Sequence, residues 1–178
     1  AEEIKTGKTI QLTKDGSKYL INGTFDWAYE EEFFCRDGFR WSPDSKNIAF
    51  WQVNANGVKN YLMINNTDAK YPFAVPVEYP IAGEKPSLVK IGVVELATAK
   101  TKWMETPDDA VLGTYMPRME WVPNSKQLII QHLNRKQNTS HLLLTNVQTA
   151  KSKVIYKEVE KTWIDIMPSW NSQYANGG

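Results

Sequence analysis

Apolar and polar positions alternate in short runs along most of the chain, and polar turns separate the runs. Residues 47–53 ("NIAFWQV") and 127–133 ("QLIIQHL") each follow a Pro-x-Ser-Lys turn and predict strands. Val93 to Met104 and Leu142 to Tyr156 are β-branched and aromatic runs hinged at a Thr-Ala-Lys turn, which predicts two hairpins. Only the short stretch after Asp26 predicts a helix.

These elements repeat. "WSPDSKNIAFWQVN" from Trp41 matches "WVPNSKQLIIQHLN" from Trp121 at an offset of 80, and "TAKTK" from Thr98 matches "TAKSK" from Thr149 at an offset of 51. The first copy therefore carries extra residues between its halves. They fall in the segment 67–90, where Pro72, Pro76, Pro80 and Pro86 are expected to break any regular ladder. Without that insertion each copy is a turn, a strand, a polar turn, a second strand, a tight turn and a last strand. Four antiparallel strands every ~40–50 residues is the period of a β-propeller blade. A single β-sandwich is the rival, but two matches in the same order favour the propeller.

The predicted fold class is therefore all-β: a propeller fragment of about two to three four-stranded antiparallel blades, with one short helix. The expected organisation is a blade end over 1–25, the acid-rich helical segment over 26–36, a blade over 37–105 with its insertion at 67–90, a blade over 115–160, and the start of another at 161–178. Blades bury their faces against neighbours, so an open stack this short predicts a piece of a larger protein. Nor is there a basic, apolar leader at Ala1, so the chain is expected to begin after a removed leader or in mid-protein.

Composition narrows the chemistry. A net charge of +1 gives no sign of a nucleic-acid partner. No apolar run approaches the ~18 residues that span a bilayer. The single cysteine, Cys35, excludes an internal disulfide and a cysteine-based zinc site, and two histidines, His132 and His141, make a His-rich metal site unexpected. No cofactor is expected. No Gly-x-Ser-x-Gly nucleophile motif occurs, so no catalytic residue is assigned within the chain.

One segment stands apart. "DWAYEEEFF", residues 26–34, sets Glu30, Glu31 and Glu32 among Trp27, Tyr29, Phe33 and Phe34. Asp26 suits a helix N-cap, and acids in a first turn complement the helix dipole. On a helix, Glu31 and Glu32 project about 100° apart and can converge on one small cation; on a strand they point to opposite faces. Two readings follow. In one, the segment is a favourable helix start with an ion pair between Glu32 and Arg36 at i, i+4. In the other, the rings hold partly desolvated carboxylates that a cation must join, and a primary ammonium with three donors suits them. Three consecutive acids lack the spread of oxygens that calcium needs, so no metal is assigned.

"NGTFDWAYEEEF" resembles the Asp-Trp-x-Tyr-Glu-Glu-Glu signature of the dipeptidyl peptidase IV family of serine peptidases. The likeness continues through "FRWSPDSKNIAF", "YPIAGEKPS", "IGVVELATAK" and "HLNRKQN", and spans roughly Thr9 to Trp163. Ala28 departs from the bulkier aliphatic usual there. The resemblance implies an N-terminal propeller packed on a C-terminal α/β-hydrolase domain, with Glu31 and Glu32 binding the free N-terminal ammonium of a peptide substrate. It makes Glu30 a supporting residue and places Phe34 at the border of the substrate cleft. It implies a serine-type dipeptidyl-peptidase as the parent, releasing dipeptides with Pro or Ala second, while this chain alone hydrolyses nothing. A homodimeric parent is implied, with the insertion contributing to subunit contact, and a location in the bacterial periplasm or cell envelope, or otherwise outside the cell. The alternative is the non-catalytic propeller of an inactive homologue, serving as an interaction module.

Overall fold

The repeated turns are the same turns. Ser45 and Ser125, 80 positions apart, both take φ of 57°, and Ala99 and Ala150, in the two Thr-Ala-Lys turns, take φ of 54° and 64°. A computed structural model describes residues 1–107 and 113–166. In chain order the elements are β1 (Glu2–Glu3), β2 (Lys8–Thr9), β3 (Leu20–Asn22), α1 (Trp27–Glu32), β4 (Phe39–Trp41), β5 (Asn47–Asn54), β6 (Asn60–Asn65) and β7 (Phe73–Glu78). They continue as β8 (Leu88–Glu95), β9 (Lys100–Trp103), β10 (Thr114–Trp121), β11 (Gln127–Asn134), β12 (Thr139–Asn146) and β13 (Ser152–Val159). Among the described residues the domain is all-β with one short helix, as its alternation predicts.

Two antiparallel sheets carry the repeat. One runs β3-β5-β8-β9, with β4 also paired to β5; the other runs β10-β11-β12-β13. These are two neighbouring blades, as in part of a propeller. Alternation along β5 decides what each face buries. Ala49, Trp51 and Val53 join Ile91 and Val93 in a core shared with Met116, Met119, Leu128, Ile130, Leu133 and Leu143 of the second blade. Each large side chain taken wholly from water there stabilises the fold by roughly 1.5–3 kcal/mol. Ile48, Phe50 and Val94, on the opposite face, form a smaller cluster with Leu12 and Leu96, beside a cavity of about 300 Å³.

The segment 1–25 was expected to close a preceding blade, but Leu20–Asn22 pairs with Gln52–Asn54 of β5 and so belongs to the first blade. The proline-rich insertion was expected to be irregular, yet β6 and β7 form a ladder from Asn60↔Glu78 to Asn65↔Phe73, with Pro76 opposite Leu62. A two-stranded sheet has only edge strands, and edges tolerate a residue without an N–H. Of the segment expected to start a further blade, 167–178 lies outside the described residues.

The two blades differ in the strand beside β5 and β11. In the second, β10 is continuous apart from a bulge: Tyr115 pairs with Leu133 and Met119 with Ile130. In the first, Ile21 pairs with Val53 and Phe39 with Phe50, the same positions 80 residues earlier on the central strand. Between those pairs the second blade threads residues 116–118 and the first threads 22–38. The acid-bearing helix is thus an excursion from one strand of the first blade. Both ends close on Trp51: Gly23 N–H donates to its carbonyl at 3.0 Å, and its N–H donates to the Gly38 carbonyl at 3.0 Å.

Candidate functional site

The helix at the tip of this excursion is six residues long, too short to persist alone. Its N-terminus is held by Asp26, whose Oδ1 accepts from the Tyr29 N–H at 3.1 Å while Oδ2 accepts from the buried Ser87 hydroxyl at the foot of β8. Asp26 is therefore the N-cap that the sequence predicts. Aromatic packing fixes the inward face. Tyr29 stacks on Phe25 at 5.7 Å and meets Phe33 edge-on at 5.2 Å; Phe33 in turn meets Tyr115 at 5.3 Å. Trp27 lies half-buried against Tyr79 at 4.2 Å, which ties the helix to the base of the β6–β7 hairpin. Phe34 was expected to anchor the segment with the other rings. It does not: it is 60% exposed, because its backbone turns left-handed at φ 55° and swings the ring outward.

That same turn redirects Arg36. The sequence allows an i, i+4 pair with Glu32, but the helix ends at Glu32 and the chain folds back. Arg36 Nη1 meets Glu30 Oε2 at 3.1 Å and Nη2 lies 3.8 Å from Glu31 Oε1. Both partners are substantially solvated, so these pairs contribute little stability, about 0–1 kcal/mol. Glu32 makes no ion pair among the described residues. Burial pushes the Tyr115 phenol above its usual range, Arg135 opposes the shift and the Glu32 charge adds to it. Arg135 sits 5.8 Å from the Tyr115 ring and donates to the Glu84 carbonyl at 2.8 Å, joining the second blade to the "AGEK" segment. Glu31 and Glu32 are exposed and Glu30 is half-buried; Arg36 joins Glu30 and Glu31, while Glu32 and Arg135 act electrostatically on Tyr115. No group of three or more His, Cys, Asp and Glu side chains among the described residues is arranged to hold a metal ion.

The second blade supplies more than packing. The bulge that interrupts β10 opposite the excursion is bonded to the first blade through Met116, Pro117 and Arg118. Met116 N–H donates to the Tyr29 hydroxyl at 3.1 Å, and Trp51 Nε1 donates to the Met116 carbonyl at 2.8 Å. The Cys35 thiol lies 3.3 Å from the Pro117 carbonyl, and Arg118 Nη1 donates to the Phe33 carbonyl at 2.9 Å. Burial pushes both the Tyr29 hydroxyl and the Cys35 thiol up from their ordinary values. Sequence reasoning missed Tyr115, Met116 and Arg118. Their only trace in the sequence is Met-Pro-Arg breaking the alternation of an otherwise regular strand.

The arrangement can offer clustered, oriented carboxylates to a cation from solvent. His132 and His141 stack at 6.0 Å within the second sheet, on strands β11 and β12. No helix among the described residues is long and apolar enough to cross a membrane.

Comparison with known proteins assigns a context. Residues 1–175 match the family model described as the dipeptidyl peptidase IV N-terminal region. Mouse "Inactive dipeptidyl peptidase 10" is 33% identical over 91% of this chain and 21% of its own length. The "Probable dipeptidyl peptidase 4" of Emericella nidulans is 28% identical over 89% of the chain and 22% of its own. The crystal structure of Porphyromonas gingivalis dipeptidyl peptidase 4 superposes with a TM-score of 0.85 at 31% identity, covering 93% of this chain and 23% of that one. A putative dipeptidyl aminopeptidase IV from Bacteroides ovatus gives a TM-score of 0.76 at 26% identity, covering 88% of this chain and 22% of that one. The chain spans about a fifth of the length of the curated relatives it matches.

Proposed function

The chain belongs to the dipeptidyl peptidase IV N-terminal-region family, and on that basis we propose that it is the substrate-anchoring part of a serine dipeptidyl aminopeptidase. Glu31 and Glu32 bind the free N-terminal ammonium of a peptide, Glu30 supports them, and Phe34 borders the cleft. The observation that carries this reading is the acid-bearing helix itself: a short element that leaves the sheet and is held at both ends, with Glu31 and Glu32 exposed. The α/β-hydrolase domain of the parent supplies the nucleophile. Two extended residues span about 7 Å, so an anchored ammonium sets which carbonyl meets the attacking serine. A small pocket in the hydrolase domain then selects Pro or Ala second. The acids break no bond; they hold the reactant in place, and positioning of this kind is worth several kcal/mol of a barrier.

The parent works outside the cytosol, in the periplasm or envelope of a bacterium, a reading supported by the likeness to two bacterial proteins. We assign the β6–β7 hairpin, which exposes Leu62, Ile64 and Tyr71, to subunit contact in a homodimeric parent. In the full-length protein, Glu31→Gln or Glu32→Gln is expected to lower kcat/KM for Gly-Pro-anilide by about 100-fold, equivalent to about 2.7 kcal/mol. Unchanged kinetics would reject the site, and turnover by the 178-residue chain alone would reject the division of labour.

A second reading has a specific observation behind it. At 33% identity, the mouse relative is named as inactive, so this chain also fits the propeller of a non-catalytic homologue that serves as an interaction module. A Gly-Trp-Ser-Tyr-Gly motif in the remainder of the parent sequence decides for the enzyme, and its absence for the module.

A further inference from the structure

We infer that Arg118, carried by the second blade, is a positioning residue of the acid site carried by the first; this rests on the ammonium-binding reading above. A six-residue helix does not fix its own direction. Its N-terminus is held within its own blade through Asp26 and Ser87. Its C-terminus runs into Phe34, whose left-handed backbone costs about 1–3 kcal/mol in a non-glycine residue and persists only where neighbours enforce it. Two contacts from the bulge of β10 bracket that residue. Arg118 Nη1 donates to the carbonyl of Phe33, just before it, and the Cys35 thiol, just after it, lies 3.3 Å from the Pro117 carbonyl. Arg118 Nη1 also lies 2.8 Å from the Pro117 carbonyl and 3.5 Å from Cys35 Sγ, so a single guanidinium ties both sides of the turn to the bulge.

The direction of that turn decides what surrounds the carboxylates. It sends Phe34 outward and returns Arg36 to Glu30 and Glu31. One turn of helix farther back, Met116 N–H holds the Tyr29 hydroxyl from the same bulge. The bulge therefore grips the helix at its middle and at its exit. Arg118 acts through the backbone of Phe33.

The test is binding, which reads the site in an active or an inactive parent. Full-length wild type, Arg118→Met and Arg118→Lys are titrated calorimetrically with the dipeptide Gly-Pro, which the proposed activity leaves uncleaved, and with its N-acetylated form, and melting curves confirm folding. Arg118→Met is expected to reduce the preference for the free amine about tenfold, as a small misplacement of the acids requires. Arg118→Lys, which can still donate to one carbonyl, is expected to restore most of it. Equal weakening of both peptides, or no change in either, would overturn the inference. Should Arg118→Met fail to fold, Tyr29→Phe removes the other grip of the bulge and must lower the same preference; an unchanged preference there overturns it. If Glu31→Gln and Glu32→Gln leave the preference intact, the ammonium reading fails and takes the inference with it. If they abolish it while Arg118→Met does not, the inference alone fails.

Discussion

The two blades share turns, register and core, yet one strand treats them differently. Opposite the central strand of the second blade, the chain buckles for residues 116–118 and continues; opposite that of the first, it leaves at Gly23 and returns at Gly38. The blade with the excursion presents the acids. The blade with the bulge turns its irregular backbone toward that excursion and binds it through Met116, Pro117 and Arg118. Two copies of one unit thus differ in that one carries the acid-bearing helix and the other bonds to its base, and the difference sits at a single register position.

Glycine at that position offers the most severe way to break the comparison. A Cβ on Gly38 would lie 2.5 Å from the Gly23 carbonyl carbon and from the Thr24 nitrogen, where the two ends of the excursion pass. The residue 80 positions later is Arg118, which carries a full side chain because only a bulge passes there. Gly38→Ala is expected to cost about 3 kcal/mol, the upper range for overpacking, measured as a fall in urea midpoint. A cost below about 0.5 kcal/mol would mean that the pinch is not a real constraint.

The central strands give a milder contrast. Trp51 donates from its ring to the Met116 carbonyl, whereas its counterpart Gln131 reaches Ser140 Oγ only at 3.4 Å. Trp51→Phe leaves a buried carbonyl unsatisfied and should lose about 1–3 kcal/mol; Gln131→Ala should stay within about 0.5 kcal/mol. Equal losses in chemical denaturation would show that the bond between blades carries no particular weight.

The smallest effect is in alkali. Tyr29 and Cys35 lie where excursion meets bulge, and burial raises both. A folded pKa above the unfolded one means that the native state keeps a proton the unfolded state releases. The associated stability is intact below the unfolded value, about pH 8.5 for the thiol and 10 for the phenol, and is lost as pH rises through the folded value. Melting temperature is therefore expected to decline above about pH 8.5, and Cys35→Ala to delay that decline. A profile identical in the variant would remove the thiol from the account.

Much of the architecture was legible because it recurs. Ser45 with Ser125 and Ala99 with Ala150 mark equivalent turns, and residues at fixed offsets expose a repeat without knowledge of any contact. The helix was legible too, since Asp26 caps it through a bond only three residues long. What escaped was non-local. Leu20–Asn22 belongs to the first blade only because residues far along the chain pair with it. Pro76 enters a ladder because that ladder is nothing but edge. Arg36 takes Glu30 and Glu31 rather than Glu32 because Phe34 reverses the chain, and a positive φ at phenylalanine leaves no signature in a string of letters. Arg118 reaches Phe33 across 85 positions, and no local pattern announces such a bond.

The paired closure on Trp51 has a wider meaning. Because both ends of the loop dock on one residue of β5, the ladder above and below is blind to whatever is spliced between them. Lengthening such a loop costs entropy only as the logarithm of its size, roughly 0.6 kcal/mol per doubling. The stem is therefore a socket: a place where a scaffold can exchange one recognition element for another while its framework stays unaltered.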